Sequence, residues 1–150
     1  MENTKDDAQK IRDVYHFLNR QMQQFERTAE LQLAIDHLME GLGEYFSADT
    51  VQLYKREEGL YTLASIWPAL NPKVDCWIRK TIRETDGQGT SGIRMFDGEG
   101  EHEGDRLFAF PLLDNGKVIA LLAIANPRED KVRLLLEIAD MLDGWFANRL

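Results

Sequence analysis

Between Asp105 and Asn126 the chain reads DRLFAFPLLDNGKVIALLAIAN, two long apolar runs on either side of one Asn-Gly pair. Asn-Gly is the dipeptide a type I′ hairpin turn asks for, because both central residues of that turn need φ > 0. A turn at Asn115-Gly116 sets Asp114 opposite Lys117. By strict alternation Leu112 then faces Ile119, Phe110 faces Leu121, and Phe108 faces Ala123. The other side of the ribbon carries Leu107, Ala109, Pro111, Leu113, Val118, Ala120, Leu122 and Ile124. Both sides are apolar, so neither can be left in water, and the hairpin must lie inside a sheet with a layer on each face. The faces differ in bulk. One holds the phenylalanines, and the other has Ala109, Pro111 and Ala120 at its centre, where a helix can come close. Pro111 cannot donate to a ladder, so its missing N–H is predicted to point away from the hairpin partner, toward a third strand or solvent.

The rest of the chain supplies those layers. From Asp6 to about Ala29 the apolar residues Ile11, Tyr15, Leu18, Met22, Phe25 and Ala29 recur in steps of four and three among polar ones. That is a helix with a narrow heptad seam. Two packings satisfy it: a helix lying on its own domain, or a dimer seam, and the dimer seam is the expectation. After Thr28 the phase shifts to Leu31, Ile35, Leu38, Leu42 and Tyr45, widened by Ala34, Met39 and Phe46. The shift predicts either a kink near Thr28 or a long helix turning a new face to the domain. Gly41 and Gly43 are expected to weaken its end, and Ser47-Ala48-Asp49 closes it.

Val51 to Arg56 and Leu60 to Ile66 are β-rich runs separated by Glu57-Glu58-Gly59, a second hairpin that Trp67-Pro68 ends. Asn71-Pro72 starts a helix with proline at its first position. Its buried face is Val74, Trp77, Ile78 and Ile82, and it ends near Glu84. Asp86 to Gly104 is glycine-rich and acidic around Ile93-Arg94-Met95-Phe96, which reads as a loop, a short strand and a second loop. Pro127 ends the last strand. Arg128 to Leu150 is a final helix with two adjacent stripes, Leu134/Ile138/Met141/Trp145 and Leu135/Ala139/Leu142/Phe146. A helix apolar over that width is covered by the sheet and by another helix. The organisation expected is an amphipathic helix over residues 1–28 and one α+β domain over residues 29–150.

A chain of 150 residues, 43% of them hydrophobic, is long enough for one domain with a substantial core. Its net charge of -8 sets aside nucleic acid and anionic membrane as main partners, because both repel an acidic surface. A single cysteine leaves no internal disulfide framework and no Cys-based structural zinc site. No window approaches the roughly 18 apolar residues of a membrane span, and MENTKDDAQK lacks the apolar core of a signal peptide. A cytoplasmic location is expected.

The order of elements is helix, two strands, helix, short strand, two long strands, helix. With FPLLDNGKVIALLAIAN followed by an amphipathic C-terminal helix, the chain from about Ala29 to Leu150 resembles the GAF domain, the small-ligand sensor module of signalling proteins. Members show a strand ending in Pro-Leu, a short turn with glycine, and a strand with Gly-Val-Leu; here Ala120 stands where glycine is usual. The resemblance implies a central antiparallel sheet of five to six strands. The N- and C-terminal helices cover one face; a middle helix and loops cover the other, where ligands bind. The small-residue face of the hairpin is then expected to meet the terminal helices, with Phe108, Phe110, Leu112, Ile119 and Leu121 toward the pocket. Such modules precede output domains such as diguanylate cyclases or histidine kinases. A chain whose last helix stops unfinished at Asn148-Arg149-Leu150 is what the front piece of a longer signalling protein would look like.

Catalytic chemistry finds little to work with. The histidines, His16, His37 and His102, are far apart and show no metal-ligand spacing, so neither metal nor other cofactor is expected. Cys76 is followed by Trp77, where bilin-attaching members of the resembled family have histidine, and a buried inert thiol is expected. Members that reduce free methionine sulfoxide use several cysteines, which speaks against that activity. The cyclic-nucleotide pattern of the family is not met by Asn126-Pro127-Arg128-Glu129-Asp130. Gly87-Gln88-Gly89-Thr90-Ser91-Gly92 lacks the ending of a P-loop and reads as a pocket-covering loop. Asp97, Glu99, Glu101, Glu103 and Asp105 alternate like calcium ligands, but an EF-hand needs Gly and Glu where His102 and Phe108 stand. Tyr54, Trp67, Trp77, Phe96, Phe108, Phe110 and Leu121 are the candidates to wall a ligand cavity, or else to fill it. Arg79 and Arg94 are candidates to meet an acidic ligand. The expectation is a non-enzymatic regulatory module that binds a small molecule. It pairs as a homodimer through Ile11, Tyr15, Leu18, Met22, Phe25, Met141 and Trp145 of the end helices. A ligand-free dimerisation module is the alternative.

Overall fold

The computed structural model describes residues 3–68, 72–85 and 93–146. In chain order the elements are α1 (Asn3–Arg27), α2 (Leu31–Phe46), β1 (Thr50–Glu57), β2 (Leu60–Trp67), α3 (Pro72–Thr85), β3 (Arg94–Asp97), β4 (Arg106–Asp114), β5 (Lys117–Ala125) and α4 (Val132–Phe146). Single 3-10 turns at Gly100–His102 and Glu129–Lys131 complete the described chain. The strands form one antiparallel five-stranded sheet in the order β2-β1-β5-β4-β3. This is the α+β architecture expected from the sequence. The glycine-rich run Gly87 to Gly92 lies outside the described residues.

The hairpin turn forms where Asn-Gly predicts it, with Asn115 and Gly116 at φ 51° and 79° and Asp114 paired with Lys117. The register beyond it differs from strict alternation. Leu113 pairs with Val118 but Leu112 pairs with Ala120, so Ile119 is an extra, bulged residue. A one-residue insertion moves every later side chain of that strand to the opposite face. Ala120, Leu122 and Ile124 therefore share a face with Phe108, Phe110 and Leu112.

That face meets the helices. Phe108, Phe110, Leu112, Ala120, Leu122, Ile124, Val51 and Leu53 form one core with side chains of α1, α2 and α4. The other face, Leu107, Ala109, Leu121, Ala123 and Ala125 with Tyr54, packs on Ile78 and Ile82 of α3. The expected assignment of faces is thus reversed for β4, whereas on β5 Ala120, Leu122 and Ile124 meet the helices and Leu121 the α3 side, as expected. Bulk explains the reversal. A layer of three helices leaves a deep space that phenylalanines fill, whereas one helix lies close against alanines. Beyond the last β3 pair, Arg94 with Ala109, β4 presents Pro111, which has no N–H to satisfy, and Leu113, whose N–H donates to Asp143 of α4 at 3.0 Å.

The phase shift at Thr28 is a break. The α1 helix ends at Arg27, and α2 folds back antiparallel beside it, with Phe17 stacked on Tyr45 at 4.1 Å. The glycines of α2 do not fray it. A Cβ at Gly43 would lie 2.1 Å from the Trp67 ring, and one at Gly41 2.5 Å from the Gln21 carboxamide, so both are points of close approach. The helix runs to Phe46 and is closed by Ser47 in the left-handed region, whose N–H donates to the carbonyls of Gly43 and Glu44. Against α4 the first helix runs parallel: Asp7 bonds Arg133, Tyr15 bonds Glu137, and Phe25 meets Trp145.

Candidate functional site

The strand β1 lies between β2 and β5, and its two faces are buried, one by α1, α2 and α4 and the other by α3. Val51 and Leu53 turn to the helices, while Thr50, Gln52 and Tyr54 turn to α3, each at most 3% exposed. A buried polar side chain needs partners, and this row supplies them to itself. The Thr50 hydroxyl donates to the Trp67 carbonyl at 2.9 Å. The Gln52 amide donates to Thr50 Oγ1 at 3.3 Å and to Asp75 Oδ1 of α3 at 2.5 Å. Its carbonyl accepts the Tyr54 hydroxyl. Burial pushes the Tyr54 phenol above its ordinary 10.0; the hydrogen bond and charge of Arg79 pull it down, and Asp75 pushes it up.

At the Tyr54 end of the row lies a cleft of about 680 Å³ between the β1–β2 hairpin and α3, lined by Tyr54, Gly59, Leu60, Tyr61, Thr62, Leu63, Arg79, Ile82 and Arg83. Tyr54 and Ile82 are buried at its floor, Tyr61 and Leu63 are half-buried on its wall, and Arg79 and Arg83 are exposed at its rim. Asp75, Arg79 and Arg83 follow one another at spacing i, i+4, which sets them along one side of α3. The Arg56 guanidinium lies 5.9 Å from the centre of the Tyr61 ring. The hairpin tip that ends the cleft is a second left-handed turn, Glu58 at φ 52° and Gly59 at φ 79°.

A second hollow, about 520 Å³, lies beyond the ends of β4 and β5 and is lined by Asp49, Asp97, Asp105, Arg106, Asn126 and Glu129 among others. Its groups are engaged with one another. Asn126, at φ 53°, donates to Asp49 and Asp105 and accepts the Arg106 N–H, and Arg106 Nε bonds Asp97 at 3.0 Å.

The sheet divides the residues expected to wall a cavity. Tyr54, Trp77, Phe96 and Leu121 belong to the α3 side, and of these Tyr54 lines the cleft. Trp77 is stacked 5.4 Å from His102, whose Nδ1 is 3.3 Å from Asp105 Oδ2. Trp67, Phe108 and Phe110 belong to the helical side. Arg79 is at the cleft, whereas Arg94 is on β3 at the far edge of the sheet. Cys76, expected buried, is exposed on α3. Among the described residues no three His, Cys, Asp or Glu side chains converge to hold a metal ion, and no helix is long and apolar enough to cross a membrane.

The residues expected at a dimer seam are brought together inside the chain. Leu18, Phe25 and Trp145 are buried, with the Phe25 and Trp145 rings edge to face at 4.6 Å. Ile11, Met22 and Met141 are half-buried against the same core, and the Tyr15 hydroxyl bonds Glu137 Oε1 at 3.1 Å. Val14 and Phe17, outside the expected seam, are buried too.

Sequence reasoning passed over Gln52, Thr50 and Asp75. The signal was present in TVQLYK: polar residues at every second place of an apolar strand, which in a strand covered on both faces means a buried polar row.

No protein-family model and no curated protein sequence matches the chain. Solved structures do match it in fold. The A. Aeolicus nlh2 GAF domain in an inactive state superposes with a TM-score of 0.65 at 13% identity, over 91% of this chain and 97% of that one. The GAF domain of a phosphoenolpyruvate-protein phosphotransferase (ptsP) from Coxiella burnetii gives 0.65 at 17% identity, over 92% and 95%. Free methionine-R-sulfoxide reductase from Neisseria meningitidis, in complex with its substrate, gives 0.64 at 17% identity, over 93% of each chain. The fold of this chain is therefore that of a GAF domain.

Proposed function

We propose that the chain is a non-enzymatic regulatory sensor module. A small molecule enters the cleft between the β1–β2 hairpin and α3, and its binding biases the packing of the end helices. Through α1 and α4 the module pairs with a second copy and controls an attached output domain, of which a diguanylate cyclase is one kind, in the cytoplasm. The observation that carries this reading is the cleft itself, whose described lining sets an apolar floor at Tyr54 and Ile82 beneath two rim guanidinium groups, Arg79 and Arg83. Such a combination fixes a ligand's orientation without offering a nucleophile and base to transform it. Reduction of methionine sulfoxide is disfavoured by the chemistry: Cys76 is the chain's one thiol, so no second cysteine can resolve an oxidised one.

A ligand transmits something only if it binds two packings unequally. A thermal-shift screen with nucleotides, amino acids and aromatic acids tests the sensor reading. A ligand at a hundred times its dissociation constant adds about 2.7 kcal/mol to stability, a rise of roughly 5 to 10 °C in Tm for a chain of this size. No rise with any compound would sink it. The exposed leucines of the helical layer, Leu31, Leu33 and Leu136, favour a second reading, a scaffold that pairs without ligand. Sedimentation separates the two, since a scaffold dimerises to the same extent in every condition.

A further inference from the structure

The chain carries 26 acidic side chains against 18 basic ones, yet among the described residues that line the α3 cleft there is no carboxylate and there are two guanidinium groups. Arg79 and Arg83 stand one helical turn apart on the cleft side of α3, beside the buried Ile78 and Ile82. Asp75, the next residue in that i, i+4 row, is turned inward, 4% exposed and bonded to Gln52, and so does not line the cleft. The glutamates nearest in sequence, Glu57 and Glu58 at the hairpin tip and Glu84 on α3, do not line it either. Below the arginines the wall is Tyr54, Leu63 and Ile82, with the edge of Tyr61 beside it.

From this juxtaposition we propose that the cleft is a site for an organic anion, a carboxylate or phosphate head held between Arg79 and Arg83 with an apolar or aromatic body laid on Tyr54, Leu63 and Ile82. The proposal rests on the cleft being the ligand site and adds the ligand's class. Guanidinium groups suit either head because their forked N–H donors pair with two oxygens at once. They also sit at the rim, where solvent reaches the head, while the body leaves water entirely. In an acidic protein, two guanidinium groups at one rim make this cleft more favourable to an anion than the carboxylate-rich surface elsewhere.

The experiment compares two dyes of one shape in the full 150-residue chain: anilinonaphthalene sulfonate, which is an anion, and N-phenylnaphthylamine, which is neutral. Three proteins are titrated by dye emission: the unaltered chain, R79Q/R83Q, and T62W, which places an indole in the cleft. Circular dichroism melts check that each variant is folded. The proposal expects R79Q/R83Q to weaken the sulfonate by at least about tenfold, the scale of a lost charged hydrogen bond, while the neutral dye changes less than about twofold. T62W should weaken both. Phenylacetate or phenyl phosphate should displace the sulfonate, and whichever does so names the head group. If both dyes bind and R79Q/R83Q changes neither, or neither small anion displaces the sulfonate, the anion assignment falls and the cleft stands as a site. If neither dye binds, or T62W affects neither, the cleft itself is lost and the assignment with it.

Discussion

Gly43 shows how a missing side chain can matter more than most present ones. The Trp67 ring occupies the place its Cβ would take, 2.1 Å away, so G43A must move an indole or a helix. Overpacking of that kind costs about 1–3 kcal/mol, and a urea midpoint read alongside tryptophan emission should show both the loss and a displaced Trp67. An unchanged midpoint would mean that α2 slides freely over β2. Tyr54 makes a different demand. Its native pKa lies above the ordinary 10.0, so at high pH the native state keeps a proton that the unfolded chain releases. The stability linked to it is whole below about pH 10 and drains away as pH rises through the native value. Y54F should flatten that alkaline decline in denaturant midpoints without abolishing it, because Tyr15 and Tyr45 are also raised. A decline as steep as before would show that Tyr54 ionises freely. Of these residues, sequence gave warning only of Tyr54 as a candidate. Gly43 looked like a helix breaker because its partner, Trp67, is a neighbour only in space.

Turns are local and were legible as such: Asn115-Gly116 dictates its own φ angles and sits where expected. The bulge at Ile119 was not legible, since nothing within the strand marks it. What selects it is the fit of two faces to two unequal layers, and that is a property of the assembled domain. Deleting Ile119 should leave Val118 and Ala120 as consecutive, regularly paired positions and keep every pair from Leu112↔Ala120 onward. The cost should be the burial of one half-exposed side chain, about 1 kcal/mol, with native cross-strand amide contacts in the NMR spectrum. Inserting a residue between Leu121 and Leu122 should instead turn Leu122 and Ile124 away from the helices and prevent folding. If the deletion unfolds the chain while the insertion is tolerated, the bulge does not set the register. The helical seam of α1 was legible only in part. Its period predicts a narrow contact with one helix, yet α1 also buries Val14 and Phe17 and stacks Phe17 on Tyr45 of α2.

At the scale of the molecule, the sheet separates a deep three-helix core from a shallow single-helix one, and α1 belongs to the former. Removing residues 1–28 takes away the cover that Val14, Phe17, Leu18 and Phe25 give it. Each buried side chain of that kind contributes about 1.5–3 kcal/mol. The truncated chain should therefore bind hydrophobic dye across its helical face and aggregate on sedimentation. A well-behaved monomer of residues 29–150 would instead show that α1 is dispensable to the fold. The class of fold was legible because periods of two and of three to four alternate clearly along the chain. The site was legible only in outline, because its walls come from β1, β2 and α3, and no single window of sequence contains them.

Trp67 stands at the meeting of the two layers. Its carbonyl receives the Thr50 hydroxyl at the end of the row that begins with Tyr54, and its ring fills the notch at Gly43. The route from one side of the β-layer to the other thus passes around its border instead of through its middle. An occupant that reseated the Tyr54 phenol would pull on an indole wedged under α2. The emission of Trp67, one of the chain's three tryptophans, would then gauge occupancy once Trp77 and Trp145 were replaced by phenylalanine.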